Sequence, residues 1–296
     1  MKYVVVFFLQ LLSFHLLSQS CKGMPFFILN HGFDPGKTVF SSQEIRKRGV
    51  VMIELGSAQD PKSVHTKEFQ DPSWQDAGYV GSITTGRNGD IYVLPKANVN
   101  QLYNPYKDQN TVFRIESKSG KMEKWLSLPM NALPHESNAS GLMSAYYDCD
   151  ADHLIVSTIA GSSQKQEIGT VYSIDVATKS YHPIIQNKDI LGILTARLGT
   201  EKRLFFGLCR NSEIYSIALD SKNFPVGEAR FEISLEGLGP RGDDKVRKMR
   251  MDQSGILKVA GVPFFYNLTA PVERQETNYT FRYNSLDRTW KLVELK

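Results

Sequence analysis

No stretch of this sequence is apolar for long enough to cross a bilayer. The longest such run, Val4 to Leu17, is roughly 14 residues, against the roughly 18 to 20 that a spanning helix needs. Nor is there an excess of charge of either sign. Thirty-five Lys and Arg stand against 31 Asp and Glu, a formal net charge of +4, and the charges are spread along the chain. That balance gives no sequence-level footprint for nucleic acid. Signatures of covalent and metal-assisted catalysis are missing too. There is no Gly-x-Ser-x-Gly, no His-Glu-x-x-His and no Gly-Lys-Ser, and the six histidines show no metal-ligand spacing. Cysteine is scarce, with three in 296 residues. The rest is ordinary for a folded chain: 41% apolar and 22% charged residues, a composition that argues against disorder.

The N-terminus reads as a secretory signal. Lys2 supplies a positive charge, the run from Val4 to Leu17 supplies the apolar core, and Ser18 and Ser20 are small residues three and one before a cleavage point. The expected organisation is a signal peptide over residues 1–20 and a single domain over 21–296. The protein would then be exported: periplasmic or a cell-surface lipoprotein in a bacterium, secreted in a eukaryote. Leu17-Ser18-Gln19-Ser20-Cys21 resembles a relaxed bacterial lipoprotein box, with Ser18 where a strict box has an aliphatic residue, which makes Cys21 the candidate lipidation site. Simple cleavage after Ser20 is the alternative. A membrane would be met only through that anchor. Cys149 and Cys209 are left as a pair that an oxidising compartment could join. Asn-x-Ser/Thr matches at Asn138, Asn267 and Asn278 are about as many as chance supplies, so they do not fix the source.

The strongest signal is an internal repeat. One short alternating string recurs five times: Val51-Met52-Ile53-Glu54, Val112-Phe113-Arg114-Ile115, Val171-Tyr172-Ser173-Ile174, Ile214-Tyr215-Ser216-Ile217 and Thr280-Phe281-Arg282-Tyr283. A polar turn and a further alternating run follow each copy, the pattern of a hairpin. A second hairpin precedes each later copy, as in Tyr79 to Thr85 with Asp90 to Leu94, or Lys245 to Asp252 with Ile256 to Gly261. The N-terminal unit reads the same way from Met24 to Asn30, Lys37 to Ser41, Gly49 to Leu55 and Val64 to Phe69. First strands therefore start near residues 24, 79, 142, 190 and 245. Four short strands at that period predict a blade, because one such sheet buries both faces only when neighbours stack on each side around a ring. The fold class is all-β, a β-propeller of about five four-stranded blades, with a sixth blade hidden in the insertions as the variant and a β-sandwich as the competitor.

The Gly89 to Val93 string (Gly-Asp-Ile-Tyr-Val) and the Gly169 to Asp175 string (Gly-Thr-Val-Tyr-Ser-Ile-Asp) resemble the NHL-repeat and regucalcin/gluconolactonase propellers, and are similar also to quinoprotein-like ones. The resemblance covers most of residues 24 to 296 and operates at the level of the fold. It implies an oxygen-lined, Ca²⁺-holding funnel as one form the site can take.

Site expectations follow from topology. The long insertions, Lys96 to Asn110, Ala160 to Ile168 and Pro263 to Asn278, all fall on one face of the predicted disc, and long loops on a compact scaffold are where function concentrates. Aligning the units brings Asp76, Asn138, Asp189 and Asp243 to the funnel mouth. Only oxygen ligands are offered there, the set a hard cation such as Ca²⁺ takes; the same residues also serve ordinary turns. The innermost strand of the last unit carries Lys245, Arg247, Lys248 and Arg250; alternation puts Lys248 and Arg250 on one face and Lys245 and Arg247 on the other, so that one pair would line a water-filled channel and grip an anion, unless Asp243, Asp244 and Asp252 pair with them. Tyr103, Tyr106, Phe264, Phe265 and Tyr266 would surround the mouth as an aromatic rim or pack down on it. Two functions stay open. One is a binding or scaffold propeller recognising a small molecule, glycan or protein partner at the long-loop face. The other is a Ca²⁺-dependent lactonase-type hydrolase using the acidic funnel.

Overall fold

The computed structural model describes residues 23–42, 47–56, 65–98, 101–252, 254–267 and 276–296; the segment expected to be a signal peptide and Cys21 lie outside them. Five antiparallel sheets follow one another along the chain and form a β-propeller. The first is three-stranded, β1 (Thr38–Ser41), β2 (Val51–Leu55) and β3 (His65–Phe69). The second holds β4 (Val80–Thr85), β5 (Ile91–Pro95), β6 (Thr111–Ile115) and β7 (Met122–Ser127), and the third β8 (Leu142–Asp148), β9 (His153–Thr158), β10 (Thr170–Asp175) and β11 (Tyr181–Gln186). The fourth is β12 (Ile190–Leu198), β13 (Glu201–Leu208), β14 (Glu213–Leu219) and β15 (Pro225–Ser234), and the fifth β16 (Lys245–Met251), β17 (Ile256–Val262), β18 (Thr277–Asn284) and β19 (Thr289–Leu295). Within each blade the strands pair in chain order. The first strands β4, β8, β12 and β16 stand beside one another in that sequence and form the inner wall. The five recurring strings are β2, β6, β10, β14 and β18. No sixth blade is present among the described residues.

The alternation of each middle strand explains why the blades stack. In β5, Ile91 and Val93 join a cluster with Phe27, Met52, Trp74 and Phe113, while Tyr92 and Leu94 point the other way into a cluster with Trp125, Tyr147 and Val156. In β13, Leu204 and Phe206 face the third blade, and Phe205 faces the fifth. A strand whose successive residues point to opposite faces thus feeds two inter-blade cores at once. Each such side chain contributes about 1.5–3 kcal/mol by leaving water, so no blade keeps its stability without its neighbours.

The N-terminal strand expected over Met24 to Asn30 does not form. Pro25 has no amide for a ladder, and Phe27–Asn30 make a single helical turn, α1. Phe27 and Ile28 are buried side by side while Phe26 and Leu29 are exposed, a helical and not a strand pattern. This segment crosses the turns of the second blade, with the Gly23 amide donating to the Gly86 carbonyl at 2.9 Å and the Phe27 amide to the Ser117 carbonyl at 3.1 Å. The first sheet therefore keeps only the positions of strands two to four. Trp74 plugs the space beside it, fully buried, with its indole N–H donating to the Gly120 carbonyl at 2.7 Å.

Candidate functional site

On the long-loop face an apolar cluster joins the third, fourth and fifth blades: Ile159, Cys209 and Val262 at the ends of second strands, Leu191 at the start of β12 and Tyr266 in a long loop, with Met143 and Phe264 packed against them. Beneath Tyr266 lies Asp189, the residue before β12 and fully buried. Its Oδ1 accepts from Ser162 Oγ at 2.5 Å and the Gly169 amide at 3.0 Å, and its Oδ2 from the Tyr266 hydroxyl at 2.5 Å, with Arg210 Nη2 at 3.6 Å. Burial raises the Asp189 pKa in spite of these donors, and it raises those of Tyr266 and Cys209 beside it. The carboxylate serves to fasten the loops of the third and fifth blades to the fourth.

The four oxygen-bearing residues expected at the mouth do not share one environment. Asn138 is buried, and its amide donates to the Ile159 and Ser162 carbonyls at 2.9 and 2.8 Å, while its Oδ1 takes the Ser140 amide at 3.1 Å. It meets Asp189 only through Ser162. Asp76 is exposed at the end of the short 3₁₀ turn Pro72–Gln75, and Asp243 is exposed, using its carbonyl to accept from Lys245 Nζ at 2.6 Å. The buried carboxylate before β16 is the next residue, Asp244. It accepts from Arg241 Nε at 2.5 Å and the Tyr279 hydroxyl at 2.7 Å. Burial works to raise its pKa, but the bonds from Arg241, Tyr279 and Thr277 outweigh that and lower it. Among the described residues no three His, Cys, Asp or Glu side chains come together to hold a metal ion. The two buried carboxylates already direct their lone pairs at internal donors, so the residues present do not fit a calcium site.

The aromatic rim is divided. Tyr266 is packed in, Phe265 is 59% exposed, Tyr103 is covered on one face by the Arg48 guanidinium at 3.6 Å, and Tyr106 accepts from the Gln101 amide. Open hollows of about 600, 390 and 320 Å³ lie on the opposite, short-turn face. The first is walled by Phe26, Arg87, Arg114 and Lys118, the second by Arg197, Lys202 and Asp220, the third by His153, His182 and Phe224.

The most distinctive surface is the outer face of the last blade. Val246 and Met249 of β16, Leu257 and Val259 of β17, and Tyr279 and Phe281 of β18 pack toward the fourth blade. Directly opposed residues share a face, so the other side is read from the register. Lys248 stands against Ala260 and Asn278, Arg250 against Lys258 and Thr280, and Ile256 against Arg282 and Lys291. Lys248, Arg250, Lys258, Arg282 and Lys291 are all exposed. Lys248 is 3.7 Å from Glu276; among the described residues Arg250, Lys258, Arg282 and Lys291 form no ion pair within 4 Å, and at longer range Lys258 helps to lower the pKa of Asp252 and Lys291 that of Asp287. Sequence reasoning placed Lys248 and Arg250 together but missed Lys258, Arg282 and Lys291, which the register of three further strands brings beside them.

No family model matches the chain, and no curated protein matches it. Solved structures do, at the level of the fold: a glucose dehydrogenase at 12% identity (76% of this chain, 74% of the other, TM-score 0.46), a protein described as a gluconolactonase at 11% (88% and 87%, TM-score 0.45), and a hypothetical selenium-binding protein from Sulfolobus tokodaii at 11% (83% and 63%, TM-score 0.47). These likenesses say nothing about chemistry.

Proposed function

We propose that this chain is an exported binding propeller whose ligand is a polyanionic glycan, taken on the basic face of the fifth blade. The observation that carries the reading is five exposed cations on one sheet face, four of them without an ion-pair partner among the described residues. Adjacent strands lie about 4.8 Å apart and same-face residues about 6.6 Å apart along a strand, so these cations form a close two-dimensional array. Such an array concentrates anions and gives binding that weakens steeply with salt. A flat, open array suits an extended chain better than a small molecule, which needs concavity. The hydrolase reading has no comparable support, because Asp189 and Asp244 are held by internal donors and Asp76 and Asp243 stand apart.

The test is retention on immobilised sulfated and carboxylated polysaccharide, with Arg250→Glu/Lys258→Glu compared to wild type and duplex DNA as a competing polyanion. Salt-sensitive retention that the double variant loses supports the reading. Equal retention of both proteins refutes the site, and tighter binding to DNA refutes the ligand class.

A further inference from the structure

The chain has three cysteines. Cys209 is a free thiol, 2% exposed, inside the apolar cluster of the long-loop face. Cys149, in the turn between β8 and β9, is disulfide-bonded. The pairing of Cys149 with Cys209 is thus ruled out: the two lie at opposite ends of their blades, and one of them is reduced.

Where the chain enters the described residues points to the remaining sulfur. The Gly23 amide bonds to the Gly86 carbonyl at 2.9 Å, and the fit is so close that a Cβ on Gly23 would lie 2.1 Å from the Arg87 carbonyl oxygen. Arg87 in turn donates through its guanidinium to the carbonyl of Cys149 itself. Residue 23 is therefore anchored on the same turn that touches Cys149. With Cys209 reduced and Cys149 bonded, Cys21 is the one cysteine of the sequence left as a partner.

We infer that Cys149 is bonded to Cys21. Bond formation takes two protons and two electrons from the thiols, by exchange with the disulfide of a protein thiol oxidase, which leaves as a dithiol. The consequence concerns the membrane. A lipoprotein anchor is a thioether on the cysteine Sγ, and an Sγ already in a disulfide has no valence left for it. The cysteine that resembles a lipidation site instead fastens the mature N-terminus to the third blade, across the second, and the protein is released, not tethered. The inference uses the export reading only for its oxidising compartment.

The test is peptide mapping by mass spectrometry, without reductant, of the full chain exported with its own leader and of the same protein refolded oxidatively after purification. The expected result is a Cys21 peptide linked to a Cys149 peptide, with Cys209 alkylated only after denaturation. The Cys209→Ser variant keeps the link, and in Cys149→Ser the denatured protein has two alkylatable thiols where wild type has one. Reductant lowers the melting temperature of wild type and leaves that of Cys149→Ser unchanged. A diacylglyceryl group on Cys21, a link from Cys149 to Cys209, or a disulfide-linked dimer overturns the inference. Retention of the leader in cells, with the link still forming on refolding, would defeat export and leave the pairing standing.

Discussion

Lys202→Met should be among the most destabilising single changes in this protein, and its partner substitution should rescue it. Lys202 on β13 places Nζ 2.5 Å from Asp148 Oδ2 at the end of β8, so the pair ties the fourth blade to the third, with side chains only 6% and 4% exposed. Methionine keeps the volume and removes the charge. The stranded carboxylate then has the Asp150 amide at 3.3 Å and the Thr195 hydroxyl at 3.5 Å, both at or past the long end of useful hydrogen bonds. Removing one partner of a buried pair costs about 3–5 kcal/mol, and the poor substitutes here place the expected loss in the upper half of that range. For a domain of this size that is a fall in melting temperature of about 2–4 °C per kcal/mol, or roughly 8–20 °C. The double variant Asp148→Leu/Lys202→Met removes both charges and should recover most of the loss, because apolar replacements of buried ion pairs are often neutral or stabilising. Guanidinium unfolding at constant m-value supplies the free energies. A loss below about 1 kcal/mol in Lys202→Met, or a double variant as unstable as the single, would refute the reasoning.

Asp244 has a folded pKa below its ordinary 3.8, so its stabilisation is complete above that value and is lost as pH falls through the lower, folded one. Asp244→Asn should flatten the acid limb of the stability-versus-pH curve, and an unchanged acid limb by circular dichroism would count against this. Asp189 is shifted the other way, so its contribution is fully present below the ordinary value and declines as pH rises through the raised one. Asp189→Ala should cost about 1–3 kcal/mol by leaving buried donors unpaired, and calcium should leave the melting temperature of wild type and variant alike unmoved; a stoichiometric calcium signal in titration calorimetry would restore the acidic-funnel reading. Burial pushes the Cys209 thiol well above its usual range, so a thiol reagent should modify it only at the rate of unfolding, and fast modification of native protein would show the long-loop face to be open.

The repeat was legible because it is a local property. Every recurring string became the third strand of a blade, or its counterpart in the first sheet, since strand pairing follows directly from period-two alternation and short turns. The first unit misled for an equally local reason: Met24 to Asn30 looks apolar, but Pro25 and the adjacent buried pair Phe27 and Ile28 suit a helical turn laid on the second blade. The site was less legible because it depends on side-chain partners. Asp189 and Asn138 do converge near one loop, yet Ser162, 27 and 24 residues away in sequence, satisfies them together, and no spacing rule announces that. The step from Asp243 to Asp244 as the buried carboxylate is a shift of one residue, which in extended chain exchanges the two faces.

These two departures have a common cause in the ring. A middle strand covered on both faces reads as continuous apolar sequence, as Ile91 to Leu94 does, with all four side chains fully buried. The equivalent stretch of the last blade, Ile256-Leu257-Lys258-Val259-Ala260, breaks that run with a lysine, and Lys258 is exposed. Where α1 replaces a first strand, the inner wall among the described residues has four strands and not five, and none of the apolar clusters joins the fifth blade to the first sheet. A face left in water must be polar to stay soluble, but polarity alone would be met by mixed charges. Lys248, Arg250, Lys258, Arg282 and Lys291 are of one sign, with two carboxylates beside them, Glu276 at 3.7 Å from Lys248 and Glu294 held by Lys296 at 2.7 Å. Like charges at this spacing destabilise the sheet that carries them, so the folded protein bears a cost that a bound polyanion would relieve. Added sulfated polysaccharide should therefore raise the melting temperature of wild type, and should do so least in Arg250→Glu/Lys258→Glu.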